Sequence, residues 1–230
     1  MRSDSLKDIQ KITDQVDGWL GRREGPYLYS LAKIGSQLGV VVEIGSWKGK
    51  STIWLAKGCE AVLGAKVCAI DPHGGGSEKE FRQNIRLAGV EPFLIPIVKT
   101  SMEAVKGWDQ PIGLLWIDGD HSYESVRNDF FCWEPYVVER GMIALHDTYS
   151  WEGVRRVVDE EILKLDRFRV LGQMDSILVV QKIRSLTVLD RTKRGLVVCL
   201  RQIFNKARAE RRHWRALPRK LLRGLSIPRF

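Results

Sequence analysis

The chain has no stretch long and apolar enough to cross a bilayer, and its first residues, Met1-Arg2-Ser3-Asp4, lack the apolar core of a secretion signal. Its four cysteines (Cys59, Cys68, Cys132 and Cys199) are scattered, without Cys-x-x-Cys spacing. That argues against a zinc site or a disulfide framework and fits a reducing cytoplasm. Two familiar nucleotide loops are also missing. The dinucleotide loop needs Gly-x-Gly-x-x-Gly, whereas Ser46 and Trp47 stand in the middle here and hinder close approach of a diphosphate. The triphosphate loop ends as Gly49-Lys50-Ser51 does, but Gly45 lies too close upstream. No recognisable nucleic-acid module accompanies the basic charge.

What is present is enough for one sizeable α/β domain with appendages: 230 residues, 44% of them hydrophobic. The net charge of +9 is unevenly spread. Ile183 to Phe230 hold 14 Lys/Arg against 2 Asp/Glu, which leaves 23 basic and 26 acidic residues in 1–182. The body is mildly acidic and the tail strongly basic.

The run Val40-Val41-Val42-Glu43-Ile44 reads as a strand buried on both faces. Gly45 and Gly49 then allow a tight turn and close approach of a ligand, and helical pattern resumes at Ser51. The loop therefore offers backbone N–H groups at a helix N-terminus. Further strands are predicted at 66–70, 93–98, 112–117 and 141–145, with helices between them near 78–88, 122–133 and 151–165. Segments 168–171 and 177–180 read as a closing hairpin. Ahead of the first strand, 5–20 and about 26–38 read as helices covering the core or the site. The alternation predicts a doubly wound, mostly parallel sheet. Glu43, Asp71, Ser101, Asp118, His146 and Asp147 all fall at or just past strand carboxyl ends, the edge where such sheets bind ligands.

These residues resemble a known family. Glu43-x-Gly45-x-x-x-Gly49-x-Ser51, Asp71, the run Ile117-Asp118-Gly119-Asp120-His121-Ser122-Tyr123, and Leu145-His146-Asp147-Thr148 are similar to class I S-adenosylmethionine-dependent methyltransferases. Within that class they look like the small O-methyltransferase-like group related to catechol and macrolide-sugar O-methyltransferases. The resemblance covers about residues 25–182. It implies a seven-stranded Rossmann-like sheet ending in an antiparallel hairpin, with a helical cap at 1–39, a cofactor-binding domain at 40–182 and an appended basic tail at 183–230. By position, Glu43, Gly45, Ser46 and Ser51, with Gly49 of the same loop, would surround the methionine part of the cofactor. Asp71 would take the ribose hydroxyls, Ser101 and Met102 would flank the adenine, and Asp118 would lie under the sulfonium.

Metal-dependent relatives hold a divalent cation with carboxylates at the ends of strands four and five, and the matching positions are Asp118, His146 and Asp147. A histidine there suits Mn²⁺, Fe²⁺ or Zn²⁺ better than Mg²⁺. Two alternatives stand beside the ligand role of His146: general base, or a structural hydrogen bond to Asp118 or a backbone carbonyl. His121 is a second candidate base or a helix cap beside Ser122, and His73 in its glycine loop is expected to be solvated. Trp47, Tyr123, Tyr149 and Trp151 are candidates to line an acceptor pocket. The activity implied is O-methylation of a small molecule or sugar, with or without metal assistance, in a cytoplasmic protein; the alternative is a cofactor-binding fold with vestigial or oxidative chemistry acting as a membrane-docking or partner-binding module. The basic amphipathic tail, with its Leu, Phe and Trp, suits an anionic membrane surface or a protein partner rather than nucleic acid; the alternative is a solvated helix packed on the domain or on a second subunit.

Overall fold

The computed structural model describes residues 4–209. Seven strands form one sheet: β1 (Val40–Ile44), β2 (Val67–Ile70), β3 (Leu94–Ile97), β4 (Ile112–Ile117), β5 (Val137–Leu145), β6 (Phe168–Met174) and β7 (Ile177–Lys182). Their order is β3-β2-β1-β4-β5-β7-β6. The first five strands run parallel, and β7 runs antiparallel to both β5 and β6. The strand order reverses between β1 and β4, which opens a crevice at their carboxyl ends. Register makes that edge level. Ile44 pairs with both Ile70 and Ile117, and Ile117 pairs with Leu145. The residues that follow (Gly45, Asp71, Asp118 and His146) therefore emerge side by side.

Alternating side chains divide the core between the two faces. Val41, Leu114 and Trp116 point into one layer with Leu28, Leu31, Ile53 and Trp54. Val42, Leu115 and Ile117 point into the other with Phe130, Trp133, Val157 and Phe168. The first layer is roofed by α2 (Glu24–Gly35), α3 (Lys50–Glu60) and α4 (Glu78–Leu87); α6 (Tyr123–Trp133) and α7 (Glu152–Arg156) cover the second. Between β3 and β4 lies the short α5 (Ser101–Ala104).

Three elements depart from the expected spans. The first helix, α1, covers only Leu6–Thr13, capped by Ser5, because Gly18 takes a φ of 145° and the link to α2 leaves the helical path. Strand β5 starts at Val137 rather than Gly141. Val137 pairs with Ile112 and Met142 with Leu114, so the intervening residues bulge around Arg140, whose φ is 68°. The expected helix at 151–165 is regular only over α7; it continues as a widened turn at Val157–Glu161 and a tight one at Ile162–Lys164.

The start of the basic tail forms α8 (Val188–Ala209), which packs on β6 and on the widened turn. Arg201 is 1% exposed. Its guanidinium donates to Asp159 Oδ1 at 2.5 Å and to the Thr148 carbonyl at 2.8 Å. Asn205 donates to the second Asp159 oxygen, and Phe204 packs on Tyr149. The helix thus latches the loop that follows β5. Arg201→Ala is expected to destabilise the protein by about 3 kcal/mol, the low end for a broken buried pair because Asp159 keeps some solvent. Urea unfolding of both proteins checks it. Residues 210–230, where the rest of the expected basic segment falls, lie outside the described residues. Among the described residues no helix is long and apolar enough to cross a membrane.

Candidate active site

A cleft of about 1000 Å³ opens at the crevice between β1 and β4. Most of the residues expected at strand ends line it: Gly45, Ser46, Ser51, Asp71, Ser101, Met102, Asp118, His146 and Asp147. Glu43 and Gly49 do not, although both shape it.

The loop after β1 is held in an unusual path. Gly45, Trp47 and Gly49 have φ of 88°, 41° and 90°. A side chain at Gly45 would collide with the Asp118 carbonyl, so β1 and β4 meet there only because the residue is glycine. Ser46 is buried, lines the cleft, and its hydroxyl has no hydrogen-bond partner among the described residues. A buried, unmated hydroxyl facing a cleft marks a place where a bound polar group completes the pairing. Below the loop, Glu43 is fully buried and accepts the hydroxyls of Ser51 and Thr52, each at 2.6 Å. Its role is to pin the first turn of α3 to β1.

Burial pushes the Glu43 carboxyl up to about 8 despite those two bonds. The sign follows directly. Between the ordinary carboxylate value and about 8 the folded protein holds a proton that the unfolded chain has lost, so stability falls as pH rises through that window. Glu43→Gln is expected to flatten this slope by on the order of 1 kcal/mol per pH unit. Thermal melts of both proteins from pH 5 to 8 measure it, and parallel profiles would contradict it.

Asp71 accepts the backbone N–H of Trp47 at 2.8 Å and of His73 at 2.7 Å, one on each oxygen. Each oxygen keeps acceptor capacity, so a pair of ribose hydroxyls fits. His73, expected to be solvated, is instead buried with its ring on Ser77 at 2.9 Å, because its φ of 50° turns it inward against Phe81. Thr100 caps α5 in a reciprocal capping box with Glu103, which frees Ser101 from a capping role. The Ser101 hydroxyl accepts from Trp133 Nε1 at 2.8 Å.

His146 is 4% exposed, and both ring nitrogens face carboxylates. Nδ1 lies 2.9 Å from Asp118 Oδ1, and Nε2 lies 3.2 Å from Glu24 Oε2. Burial alone would lower its pKa, but the charge and hydrogen bond of Asp118 and then the Glu24 contacts raise it to about 11. Burial likewise opposes the Glu24 charge, yet His146, Ser176 and the Gly21 N–H bring that carboxyl down to about 2. A protonated imidazole with both nitrogens engaged has no lone pair for a metal and cannot take a proton. Of the three readings of His146, this geometry favours the structural one.

The histidine that joins the acidic cluster is His121. Asp118, His121 and Asp147 present ligand atoms that all lie within 4.8 Å of one another. His121 Nε2 is 3.3 Å from Asp147 Oδ2, close enough for an ion pair but outside hydrogen-bond geometry. Capping of α6 falls instead to Ser122, braced by Asp120. Asp147 has a φ of 54°, in the left-handed region that an aspartate tolerates better than a bulky residue. Its carboxyl stays below the usual range: burial opposes this, but the His121 contact and the charge of His146 prevail.

Trp47 and Trp151 line the cleft as expected. Trp47 stacks on Trp19 at 5.0 Å and Trp151 on His121 at 4.8 Å. Tyr123 turns away to donate to Glu161, and Tyr149 lies against Arg201 and Phe204. Sequence reasoning missed Glu24, Trp19 and Asp129. Asp129 had a signal, since Ser125, Asn128 and Asp129 share one helix face at spacings of three and four.

A family model described as a methyltransferase domain matches residues 42–148, which span β1 to the loop after β5. Solved structures agree in fold. An O-methyltransferase from Bacillus cereus in complex with SAH aligns with a TM-score of 0.62 at 18% identity, over 80% of this chain and 93% of that one. The O-methyltransferase TomG from Streptomyces achromogenes, involved in tomaymycin synthesis and in complex with SAM, gives 0.58 at 14% identity, over 80% and 91%. The SAH-bound methyltransferase PaMTH1 from Podospora anserina gives 0.63 at 14% identity, over 78% and 88%. The matched methyltransferase domain thus spans the cleft-forming strands, and the chain shares with these solved structures the fold of the sheet and the remaining hairpin.

Proposed function

We propose that this protein transfers a methyl group from S-adenosylmethionine to a hydroxyl of a small molecule or sugar. The observation that carries the reading is the convergence on one cleft of the unmated Ser46 hydroxyl, Asp71 and the Asp118–His121–Asp147 cluster. When bound, the cofactor supplies a methyl group already activated on a sulfonium. The chain must hold the acceptor oxygen in line with it and accept the acceptor's proton. Asp71 takes the ribose, Ser46 and the first turn of α3 take the methionine end, and Ser101 and Met102 border the adenine. Asp118 and Asp147 favour the sulfonium charge, and Trp151 and Trp47 exclude water from the acceptor side.

His121 is the residue we assign to take the acceptor's proton, with Asp147, 3.3 Å from its Nε2, stabilising the imidazolium that results. The same cluster supports a second reading, in which Asp118, His121 and Asp147 hold a divalent cation. Such an ion would lower the pKa of the acceptor hydroxyl. One nitrogen and carboxylate oxygens suit Mn²⁺ or Fe²⁺ better than Mg²⁺. The experiment follows S-adenosylhomocysteine formation over a panel of neutral hydroxylated small molecules and sugars, with EDTA or with Mn²⁺. Turnover of an acceptor that survives EDTA and falls at least 100-fold in His121→Ala supports the base role. Turnover restored only by Mn²⁺ supports the cation. No turnover of any acceptor with cofactor bound would favour the docking-module alternative.

We also propose a peripheral contact with anionic membrane through the tail. Leu189, Leu196 and Ile203 recur every seven residues along α8 and stay exposed, in a segment carrying a large excess of Lys and Arg. Because Arg201 is built into the fold, the variants that test this keep α8: one removes 210–230, and one replaces Leu189, Leu196 and Ile203 with serine. Loss of sedimentation with phosphatidylserine vesicles supports the contact, and no binding by the full chain refutes it.

A further inference from the structure

We infer that Arg201 is a positioning residue of the active site, so that α8 sets where the Asp147 and Asp118 carboxylates point. The inference rests on the cofactor reading above and concerns an element that reading leaves unused. Strand β7 runs antiparallel to β5 and so ends at the amino edge of the sheet. Helix α8 climbs back from there: at 1.5 Å per residue, Val188 to Arg201 is roughly 20 Å, enough to regain the carboxyl edge. It brings Arg201 against the loop after β5, 53 residues earlier in the chain. There Nε donates to Asp159 and Nη2 to the Thr148 carbonyl, while Nη1 lies 3.4 Å from both Thr148 Oγ1 and Gln173 Oε1. Thr148 is fully buried and gives its N–H at 3.1 Å and its hydroxyl at 2.9 Å to the Ser176 carbonyl. It is therefore held at its N–H, its hydroxyl and its carbonyl.

That grip bears on the residue before it. Asp147 holds a φ of 54°, a left-handed conformation that persists outside glycine where the surroundings over-determine it. The Asp147 carbonyl in turn accepts the N–H groups of Ser150 at 3.0 Å and Trp151 at 3.3 Å, so the same turn delivers Trp151 to the cleft. A second branch runs from Ser176 to Asp118. The Ser176 hydroxyl bonds Glu24 at 2.6 Å, Glu24 lies 3.2 Å from His146, and His146 lies 2.9 Å from Asp118. Both carboxylates assigned to the sulfonium thus lean on the Thr148–Ser176 unit, and Arg201 closes that unit from behind. A planar guanidinium can bond a carboxylate and a carbonyl at once; the single nitrogen of a lysine does not reproduce that fork.

The test is calorimetric titration of the full chain and of Arg201→Lys with S-adenosylmethionine and with S-adenosylhomocysteine, which differ in the sulfonium charge. An arginine that only stabilised the fold would scale both affinities alike, through the fraction of competent protein. A positioning role weakens the charged ligand more, so the ratio of the two affinities should move against S-adenosylmethionine by at least about fivefold. Asp159→Asn loosens the same anchor at its partly exposed end, should move the ratio the same way, and decides the matter if Arg201→Lys does not fold. In carbon-13 spectra, the Asp147 backbone shifts should mark a left-handed residue in the wild type and leave that region in Arg201→Lys. An unchanged ratio in the folded variant would overturn the proposal, as would Asp147 shifts that stay left-handed there. Wild-type shifts outside the left-handed region would overturn it without any variant. If the wild type binds neither ligand, the cofactor reading fails first and the role of Arg201 in the site falls with it.

Discussion

Asp71→Ala is expected to weaken S-adenosylmethionine binding on the order of 100-fold, the loss of two hydrogen bonds to a charged group. The carboxylate does two jobs. It is the acceptor at the end of β2 for a ribose diol, and it holds the Trp47 and His73 N–H groups that set the flanking loops. Both jobs need acceptor lone pairs, so Asp71→Asn, which keeps one carbonyl oxygen, should fall between wild type and alanine. Calorimetric dissociation constants for the three proteins give the order. Equal affinities in all three would remove Asp71 from the cofactor site.

The second large effect concerns His146. Removing the imidazole leaves Glu24 and Asp118 without their shared cation, and Glu24 has almost no solvent to compensate. His146→Ala should therefore cost about 3–5 kcal/mol of stability, the usual price of breaking a buried pair. In a chain of this size that is roughly a 10 °C fall in melting temperature. Turnover should fall as well, because Asp118 loses the contact that aims it. The base reading predicts otherwise: a stable protein that binds cofactor and does not turn over. A melt of His146→Ala separates the two, and an unchanged melting temperature with lost activity would return His146 to the base role. Glu24→Gln offers a second view of the same network. It should also loosen Ser176, whose N–H and hydroxyl both bond the Glu24 carboxylate from the β6–β7 turn.

The edge of the sheet was legible in the sequence because the parallel strands end in apolar runs with a polar residue at or a few positions past the carboxyl end. With strands buried on both faces, that closing residue can only emerge at the carboxyl edge, and a level register does the rest. Glycine positions were legible for a similar reason, since the path past Asp118 admits no Cβ at residue 45. What stayed hidden depends on contacts across long stretches of chain. Glu24 meets His146 and Ser176 across more than a hundred residues, and no local pattern marks such a meeting. His121 and His146 differ in sequence only by neighbourhood. Burial between two carboxylates, visible only in three dimensions, separates the engaged ring from the available one. Arg201 illustrates the converse error: one arginine among many in a basic segment reads as solvated, yet it is buried and holds the loop after β5 in place.

The central claim is that this cleft holds S-adenosylmethionine. Titration of the purified full chain with that cofactor by calorimetry, once with EDTA and once with Mn²⁺, tests it most directly. The account predicts saturable binding at one site per chain under both conditions, because Ser46, Asp71 and Ser101 follow β1, β2 and β3, whereas the Asp118–His121–Asp147 cluster follows β4 and β5. An absence of binding heat in both titrations, from a protein shown to be folded, would contradict it.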